Sequence, residues 1–287
     1  MGSETLRSRY VMAGGVKTHY AEVGENGPVV IALHGGGAGS SGAAGAGPLM
    51  QAFPSDYRVL APDAVGGFGL TDPSAPSPYG LQSRVDHLED FVDALCLDRF
   101  ALLGNSQGAW VAARYAMLHP EKVEKLVLIG TATISSAMGI PELHSPGMAA
   151  LRGYDGTREG MRKLLDSLIV AKHKITDELI DLRYDTACRP GVMDAFRAGT
   201  KANRLLQTDP ILRLQFDMTT ALPALAKVIP TILMWGENDE FALPEVGRKL
   251  EKLLPEVPFH WIAKAGHQVQ TDQPQQTADV IVKFLRS

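Results

Sequence analysis

The sequence contains only two cysteines and has no long apolar run. Cys96 and Cys188 stand far apart, outside any CxxC pair and without regular spacing to histidine, so neither a disulfide framework nor a zinc site is indicated. No apolar stretch reaches transmembrane length, and Met1–Arg7 lacks the apolar run of a signal peptide. We therefore expect a cytoplasmic protein that makes no use of a membrane.

An excess of charge of one sign is also missing. Lys and Arg number 28 and Asp and Glu number 32, which gives a net charge of −4 over 287 residues. This balance provides no basic surface for nucleic acid or for an anionic membrane. With 45% hydrophobic residues the chain is close to the globular average, so a mainly disordered protein is excluded. The expected partner is a small-molecule substrate, and a homodimer is a reasonable prior.

Short apolar runs followed by Gly, Pro or Asp are typical of buried parallel strands. They occupy Val29–Leu33, Arg58–Ala61, Phe100–Leu103, Leu126–Ile129 and Thr231–Trp235. Amphipathic stretches at Ser83–Leu95 and Ala109–His119 predict crossover helices on either side of the Phe100–Leu103 strand. Alternating runs at Arg9–Met12 and Val16–Glu22 predict a β-hairpin. The pattern indicates an α/β fold with a mostly parallel sheet and an N-terminal hairpin.

A helical insertion is predicted after the sixth strand. Between Ile134 and about Ala221 the strand signal disappears, and helical stretches replace it. These stretches are Gly160–Ala171, Thr176–Thr186 and Gly191–Asn203. The strand pattern returns at Thr231–Trp235 and Val257–Ile262. We therefore predict a core domain of residues 1–133 and 222–287, with residues 134–221 as a helical cap.

The sharpest motif is the G-x-S-x-G run Gly104-Asn105-Ser106-Gln107-Gly108, placed between a predicted strand and a predicted helix. This context is that of a nucleophile elbow, in which a strained turn presents the serine hydroxyl. The flanking glycines are needed because side chains there would collide with the neighbouring strand and helix. Ser106 is therefore the candidate nucleophile.

A serine nucleophile needs a base and an acid that orients the base. Asp239 follows the predicted strand Thr231–Trp235, and His267 follows the predicted strand Val257–Ile262. The order Ser, Asp, His is that of the hydrolase elbow. Glu237 and Glu240 are rivals for the acid, but the turn position favours Asp239.

The glycine-rich run after Leu33 admits two interpretations. Its backbone can supply an oxyanion donor at Gly36, together with the N–H of Gln107. The same run contains a lone G-x-G-x-x-G at Gly37–Gly42, with Asp63 ending the next strand, so a dinucleotide site is a rival. We expect Gly45–Pro48 to interrupt the helix that such a site requires. His34 is expected to be structural.

The chain resembles the α/β-hydrolase superfamily over nearly its whole length, on the elbow, acid, base, oxyanion loop and cap. Within it, Leu33-His34-Gly35-Gly36-Gly37, Asn105-Ser106 and Arg189-Pro190 look like the meta-cleavage-product hydrolases. These cleave a carbon–carbon bond in vinylogous 1,5-diketones formed by aromatic ring fission. The resemblance implies that Arg189 grips the dienoate end of the substrate, although a solvated helix-start arginine is an equal alternative. It also implies substrate-binding positions at Gly37, Asn105 and Gln268, the last replacing an aromatic residue that the family tends to place there.

The predicted activity is therefore hydrolysis without a metal or an organic cofactor. Cleavage of a carbon–carbon bond in a dienoate-type ketone is the first choice of reaction, and a carboxylesterase or lactonase is the alternative. A ligand-binding or cofactor-free non-hydrolytic protein of the same fold is a third possibility. Such proteins often lose a member of the triad, and all three members are present here.

Overall fold

The computed structural model describes residues 5–287, and an eight-stranded sheet forms its centre. Most of the prediction drawn from Met1–Arg7 lies outside the described residues. The strands are β1 (Arg7–Ala13), β2 (Val16–Val23), β3 (Val29–Leu33), β4 (Arg58–Pro62), β5 (Phe100–Asn105), β6 (Val123–Ile129), β7 (Thr231–Gly236) and β8 (Phe259–Ile262).

The strands follow the order β1-β2-β4-β3-β5-β6-β7-β8 across the sheet. β1 and β2 form an antiparallel hairpin, β2 pairs antiparallel with β4, and all remaining pairs are parallel. The predicted mostly parallel sheet with an N-terminal hairpin is confirmed. Because the parallel strands point the same way, the segments that follow β3, β5, β7 and β8 leave the sheet at one edge.

Thirteen α-helices pack around this sheet within residues 5–287. They are α1 (Gly42–Ala52), α2 (Leu81–Ala94), α3 (Gln107–Leu118), α4 (Ala132–Ala137), α5 (Pro146–Arg152), α6 (Arg158–Leu168), α7 (Asp177–Cys188), α8 (Val192–Thr208), α9 (Arg213–Phe216), α10 (Ala221–Leu225), α11 (Pro244–Leu253), α12 (Val269–Asp272) and α13 (Pro274–Leu285). A 3₁₀ turn spans Lys172–Lys174. Helices α4 to α10 all lie between β6 and β7, where the sequence predicts a helical insertion. The domain boundaries at residues 134 and 221 stay a prediction.

Each face of the sheet carries its own apolar core because successive strand residues point to opposite sides. On one face, Ile31 and Leu102 pack into a cluster with α2 and α3 residues such as Phe91 and Trp110. On the other face, β3 and β5 supply a cluster that includes Leu103 and contacts α1, α12 and α13. A third cluster joins α6 and α7 above the sheet edge. None of the helices in the described residues has the length and apolarity to span a bilayer.

The glycine- and alanine-rich run after β3 differs from its prediction. The expected loop ends at Ser41, and α1 then continues through Pro48 to Ala52 without an interruption. Ser41 caps the helix by accepting the Ala44 N–H at 3.1 Å. The small residues are needed for packing rather than for flexibility, since a Cβ on Gly42 would lie 2.0 Å from the Ala61 carbonyl oxygen.

Candidate active site

Ser106 occupies the turn between β5 and α3. Its backbone has φ +56° and ψ −120°, a conformation that L-residues rarely adopt, and its N–H donates to the Ile129 carbonyl at 2.8 Å. The strained turn lies at the edge where the parallel strands end, and the residue is 8% exposed. This is the geometry of a nucleophile elbow, with the strain concentrated at the serine itself.

The glycines on either side of Ser106 are in the crowded positions that the sequence predicts. A Cβ on Gly104 would lie 2.2 Å from the Gly108 carbonyl oxygen, and one on Gly108 would lie 2.5 Å from the Leu33 carbonyl oxygen. Real Cβ atoms do not approach backbone oxygens so closely, so larger residues here would displace β3 or α3.

Asp239 and His267 form a buried pair on the loops after β7 and β8. The His267 Nδ1–H donates to Asp239 Oδ2 at 2.9 Å, and Asp239 is 1% exposed. The other carboxylate oxygen accepts the Phe241 and Ala242 N–H groups, each at 2.7 Å. One carboxylate oxygen is therefore fixed by two backbone N–H groups, and the other orients the imidazole, as a triad requires. The rival acids Glu237 and Glu240 are both exposed.

His267 and Ser106 line the same narrow chamber. Among the described residues no hydrogen bond joins the serine hydroxyl to the imidazole, a separation common in unliganded sites. The Phe241 ring stacks on the imidazole with 4.5 Å between the ring centroids. The ring packs against the imidazole on one face, and within residues 5–287 the second imidazole nitrogen has no hydrogen-bond partner.

The two predicted oxyanion donors lie beside the elbow. Gly36 follows β3, and Gln107 is the first residue of α3, where a helix leaves its N–H groups without internal partners. Within residues 5–287 neither backbone N–H has a protein acceptor. A Cβ on Gly36 would collide with the Gln107 side chain at 1.9 Å, so the loop approaches the elbow closely because Gly36 has no side chain.

Three of the predicted substrate-binding residues line the narrow chamber. These are Gly37, Asn105 and Gln268. Asn105 donates its side-chain amide to the Ile129 and His267 carbonyls, so it ties the histidine loop to the elbow. The Gln268 backbone N–H donates to the Leu168 carbonyl at 3.2 Å, which joins the histidine loop to the end of α6.

The fourth predicted residue, Arg189, does not join them. Its guanidinium donates to the Gly69 carbonyl, and the residue lines neither chamber at Ser106. Arg183, six residues earlier and within α7, lines the narrow chamber instead and is 1% exposed. Its Nη2 donates to the Ala38 carbonyl at 3.1 Å and to Ser40 Oγ at 2.9 Å.

A sequence signal for Arg183 exists. Ile180, Arg183 and Ala187 are all buried and share one face of α7 at the spacing i, i+3, i+7. An arginine within an otherwise apolar helix stripe is unusual, since arginine is almost never fully buried without a partner. The Arg189-Pro190 pair marks the end of α7 and carries no such burial signal.

A larger cavity of about 670 Å³ is also lined by Ser106 and shares Gly36, Leu151 and Phe241 with the narrow chamber. The loop after β3 and the elbow contribute Gly36, Ser106 and Gln107 to its wall, and α5, α8 and α11 contribute both apolar side chains such as Leu151 and polar ones such as Arg204. Apart from Ser106 and Gln107, sequence reasoning missed the polar residues of this cavity, among which Arg84 is a buried cation. Arg84 of α2 lines this cavity although it is 5% exposed.

His34 has the structural role predicted for it. Its Nδ1–H donates to the Gly35 carbonyl at 2.7 Å, and its Nε2 accepts the Ala64 N–H at 3.1 Å. Burial, and after it the nearby Arg84 charge, lower the pKa of His34 to about 3. The ring therefore stays neutral, and its two hydrogen bonds connect the candidate oxyanion loop to the segment that follows β4.

The dinucleotide interpretation fails on the partners of Asp63. Its carboxylate accepts the Gly42 and Leu70 N–H groups at 2.7 Å and pairs with His19 at 2.6 Å, and it is fully buried. The acid is therefore not available to a ribose, and it occupies the helix N-terminus where a pyrophosphate would bind. The predicted interruption of the helix at Gly45–Pro48 is wrong, because α1 is continuous there. It therefore does not count against a dinucleotide site.

Comparison with known proteins agrees with this geometry. The model of the α/β hydrolase fold family matches residues 28–274. The 2-hydroxy-6-oxo-2,4-heptadienoate hydrolase of Pseudomonas putida is 32% identical over 277 residues, which cover 96% of this chain and 95% of that protein. The 2-hydroxy-6-oxo-6-(2'-aminophenyl)hexa-2,4-dienoic acid hydrolase of Metapseudomonas resinovorans is 31% identical over 280 residues, covering 96% of this chain and 90% of that protein.

Solved structures of hydrolases also resemble this chain. A meta-cleavage product hydrolase from Pseudomonas fluorescens IP01 superposes with a TM-score of 0.78 at 30% identity, covering 97% of each chain. The chain therefore belongs to the α/β hydrolase fold family and is a hydrolase, similar over nearly its whole length to the meta-cleavage product hydrolases.

Proposed function

We propose that this hydrolase cleaves a carbon–carbon bond in a dienoate-type ketone with Ser106, His267 and Asp239 as its triad. The observation that carries the proposal is the buried Arg183 guanidinium, which lines the same narrow chamber as Ser106 and His267. Within residues 5–287 no carboxylate lies within 4.0 Å of it, so the protein itself does not neutralise this charge. A substrate carboxylate or enolate supplies the missing partner, and a simple ester does not.

Arg183 remains a cation under working conditions. Burial lowers the pKa of its guanidinium to about 10, which leaves it charged near neutral pH. Its planar fork can hold a carboxylate bidentately while Ser40 and Ala38 fix the remaining side. The same charge stabilises the negative charge that grows on the dienoate when the enol changes to the keto form.

The hydrolytic step then follows from the elbow. His267 takes the proton of Ser106 as the serine oxygen bonds to the ketone carbon, and the carbonyl oxygen becomes an oxyanion facing the N–H groups of Gly36 and Gln107. The bond from the ketone carbon to the dienoate side breaks, and the carbon that leaves receives a proton from His267. Water, deprotonated by the same imidazole, releases the acyl group as a carboxylic acid.

The names of the relatives support this reaction class, since both sequence relatives described above are dienoate or dienoic acid hydrolases. A cytoplasmic location and a homodimer stay predictions from the sequence.

The test compares a yellow ring-fission dienoate with p-nitrophenyl acetate on the purified protein. We expect far faster turnover of the dienoate. Arg183→Gln should slow dienoate cleavage by about 10²-fold or more, on the scale of one lost oxyanion donor. Hydrolysis of p-nitrophenyl acetate by this variant should change much less, because the acetate makes no demand on the cation.

Arg189→Gln is the matched control, since this arginine directly follows the last residue of α7. Because Arg189 bonds to the Gly69 carbonyl and lines neither chamber, its loss should leave the preference for the dienoate intact. Faster turnover of p-nitrophenyl acetate by the wild type would instead identify an esterase or lactonase. A larger effect of Arg189→Gln than of Arg183→Gln on the dienoate would show that the wrong arginine has been chosen.

A further inference from the structure

Arg84 is a buried arginine that joins the two segments supplying the candidate oxyanion donors. It lies on α2 and is 5% exposed. Its Nη2 donates to the His34 carbonyl at 2.7 Å, and its Nη1 donates to Gln107 Oε1 at 3.2 Å. His34 stands just before the glycines of the oxyanion loop, and Gln107 begins α3. One guanidinium therefore bridges the loop after β3 and the nucleophile elbow.

The Gln107 side chain lies directly against Gly36. A Cβ on Gly36 would lie 1.9 Å from Gln107 Oε1, the same oxygen that accepts a hydrogen bond from Arg84. The oxygen therefore fills the space beside Gly36, and the bond from Arg84 fixes where it lies. Because Gly36 and Gln107 carry the two candidate N–H donors, this contact links the positions of both.

The peptide unit that carries the Gly36 N–H is also held from its other end. Its carbonyl belongs to Gly35 and accepts the His34 Nδ1–H at 2.7 Å. A trans peptide is planar, and its C=O and N–H point in opposite directions, so this bond orients the Gly36 N–H. Arg84 holds the backbone carbonyl of the same histidine, and it therefore restrains the residue that sets this orientation.

Arg84 carries its charge without a counterion. Within residues 5–287 no carboxylate oxygen lies within 4.0 Å of the guanidinium, and both of its acceptors are neutral oxygens. Burial lowers the pKa of Arg84 to about 10, which leaves it charged at neutral pH. It lines the same large cavity as Ser106. A fixed charge near an elbow favours the negative charge that develops there during hydrolysis.

We propose that Arg84 is a positioning residue of the oxyanion hole. It holds the N–H groups of Gly36 and Gln107 in the relative placement that the tetrahedral intermediate requires. This inference rests on the triad and the oxyanion donors of the proposed function, but it does not depend on the substrate being a dienoate. Precise placement matters because a displacement of about 1 Å can lower a rate by about 10²-fold.

The first test replaces Arg84 by methionine, which has a similar length but neither a charge nor N–H donors. With p-nitrophenyl acetate we expect kcat/KM to fall by about 10- to 100-fold, at most the effect of one lost oxyanion donor. Arg189→Met is the matched control. Because Arg189 bonds to the Gly69 carbonyl and lines neither chamber, this variant should keep the wild-type kcat/KM.

Two binding measurements distinguish positioning from a general disturbance of the site. Phenylboronic acid forms a tetrahedral adduct with an active-site serine, in which a boron-bound oxygen takes the place of the oxyanion. Its inhibition constant should rise in Arg84→Met by about the factor by which kcat/KM falls. The affinity of a dienoate, measured by absorbance titration, should be the same for Ser106→Ala and for Ser106→Ala/Arg84→Met, because binding before the reaction does not use the oxyanion donors.

A double-mutant cycle tests the link through the Gln107 side chain. Gln107→Leu removes Oε1 and keeps the backbone N–H. If Arg84 acts through that oxygen, Arg84→Met should lower kcat/KM less in the Gln107→Leu background than in the wild type. Arg84→Lys is a milder second variant, since it retains the charge without the planar fork, and its loss of kcat/KM should be smaller.

Wild-type kcat/KM in a folded Arg84→Met protein overturns the inference. Strictly additive losses in the cycle also overturn it, as does a boronate constant that stays unchanged while kcat/KM falls. Equal losses of affinity for the dienoate and the boronate show instead that Arg84 binds substrate or supports the fold. If Arg84→Met does not fold, the same measurements on Arg84→Lys and Gln107→Leu decide between these outcomes.

The proposed reaction fails separately. A wild type that hydrolyses p-nitrophenyl acetate but neither binds nor cleaves a dienoate overturns carbon–carbon cleavage. The acetate and boronate measurements then still decide the role of Arg84.

Discussion

At the scale of single residues, Asp239 has the most completely determined surroundings in the site. One carboxylate oxygen accepts two backbone N–H groups and the other holds the His267 Nδ1–H. Asp239→Asn should keep the fold, because the amide oxygen can still accept the backbone bonds, but it should lower kcat by about 10⁴-fold through the wrong imidazole tautomer. Steady-state kinetics and a thermal melt measure the two effects.

Glu237→Gln is the control for that substitution. Glu237 is exposed and lies two residues before Asp239 in the same turn. We expect near-native kcat in this variant. If it is the more damaging of the two, the acid has been assigned to the wrong residue.

Ser106 supports a second prediction at this scale. In the proposed mechanism Ser106→Ala removes only the attacking oxygen, so kcat should fall by several orders of magnitude with an unchanged melting temperature. The variant should still bind a dienoate, because Arg183 and the cavity walls remain. Near-native turnover by a normally folded Ser106→Ala protein would remove Ser106 from the mechanism.

At the scale of elements, the loop between β3 and α1 must lie against α7 for the narrow chamber to form. Gly39 adopts φ +67°, and a Cβ there would lie 2.0 Å from the Arg183 carbonyl oxygen. Gly39→Ala should therefore push the loop off α7, displace Arg183 and raise KM for a dienoate. We expect about 1–3 kcal/mol of destabilisation from the clash, in addition to about 1–2 kcal/mol for the left-handed conformation.

Gly156→Ala separates these two contributions. Gly156 has φ +80° with no atom within 4 Å of the position of a Cβ, so this substitution introduces the backbone strain alone. Urea denaturation of both variants should show Gly39→Ala as the less stable protein. Equal losses of stability, with equal KM values, would mean that the loop does not depend on contact with α7.

At the scale of the whole molecule, two buried histidines make stability depend on pH. The pKa of His34 is lowered to about 3 and that of His87 to about 4, mainly by burial and then by the Arg84 charge. In the unfolded chain both histidines bind a proton near pH 6.5. In the folded chain His34 binds it only near pH 3 and His87 only near pH 4. The contribution of these two histidines to the free energy of unfolding should therefore be constant above pH 6.5. It should fall as the pH is lowered from 6.5 toward 4.

The expected slope is up to about 1.4 kcal/mol per pH unit for each histidine. Urea denaturation at pH 7, 6 and 5 measures it. His87→Gln should reduce the slope, whereas the same change at the exposed His173 should leave it unaltered. A stability that stays level between pH 7 and pH 5 would contradict this account.

The sequence by itself determined the parts of this protein that depend on local rules. The run Val29–Leu33 is apolar, uncharged and followed by glycines, and it forms β3 over the predicted residues. The elbow could be predicted because Gly104 and Gly108 flank Ser106 between a strand and a helix. Asp239 and His267 could be placed near it because chain segments that follow parallel strands leave the sheet at one edge.

Only the tertiary structure decided where the long side chains point and which backbone groups they meet. Arg183 lies within α7 and Arg189 directly follows it, yet the first lines the narrow chamber and the second bonds to the Gly69 carbonyl. Asp63 matches a ribose-binding acid in sequence, but the folded chain uses its carboxylate for His19 and two N–H groups. Periodicity reports which face of an element is buried, whereas the partner of a buried charge comes from segments distant in the chain and is set only when they pack together.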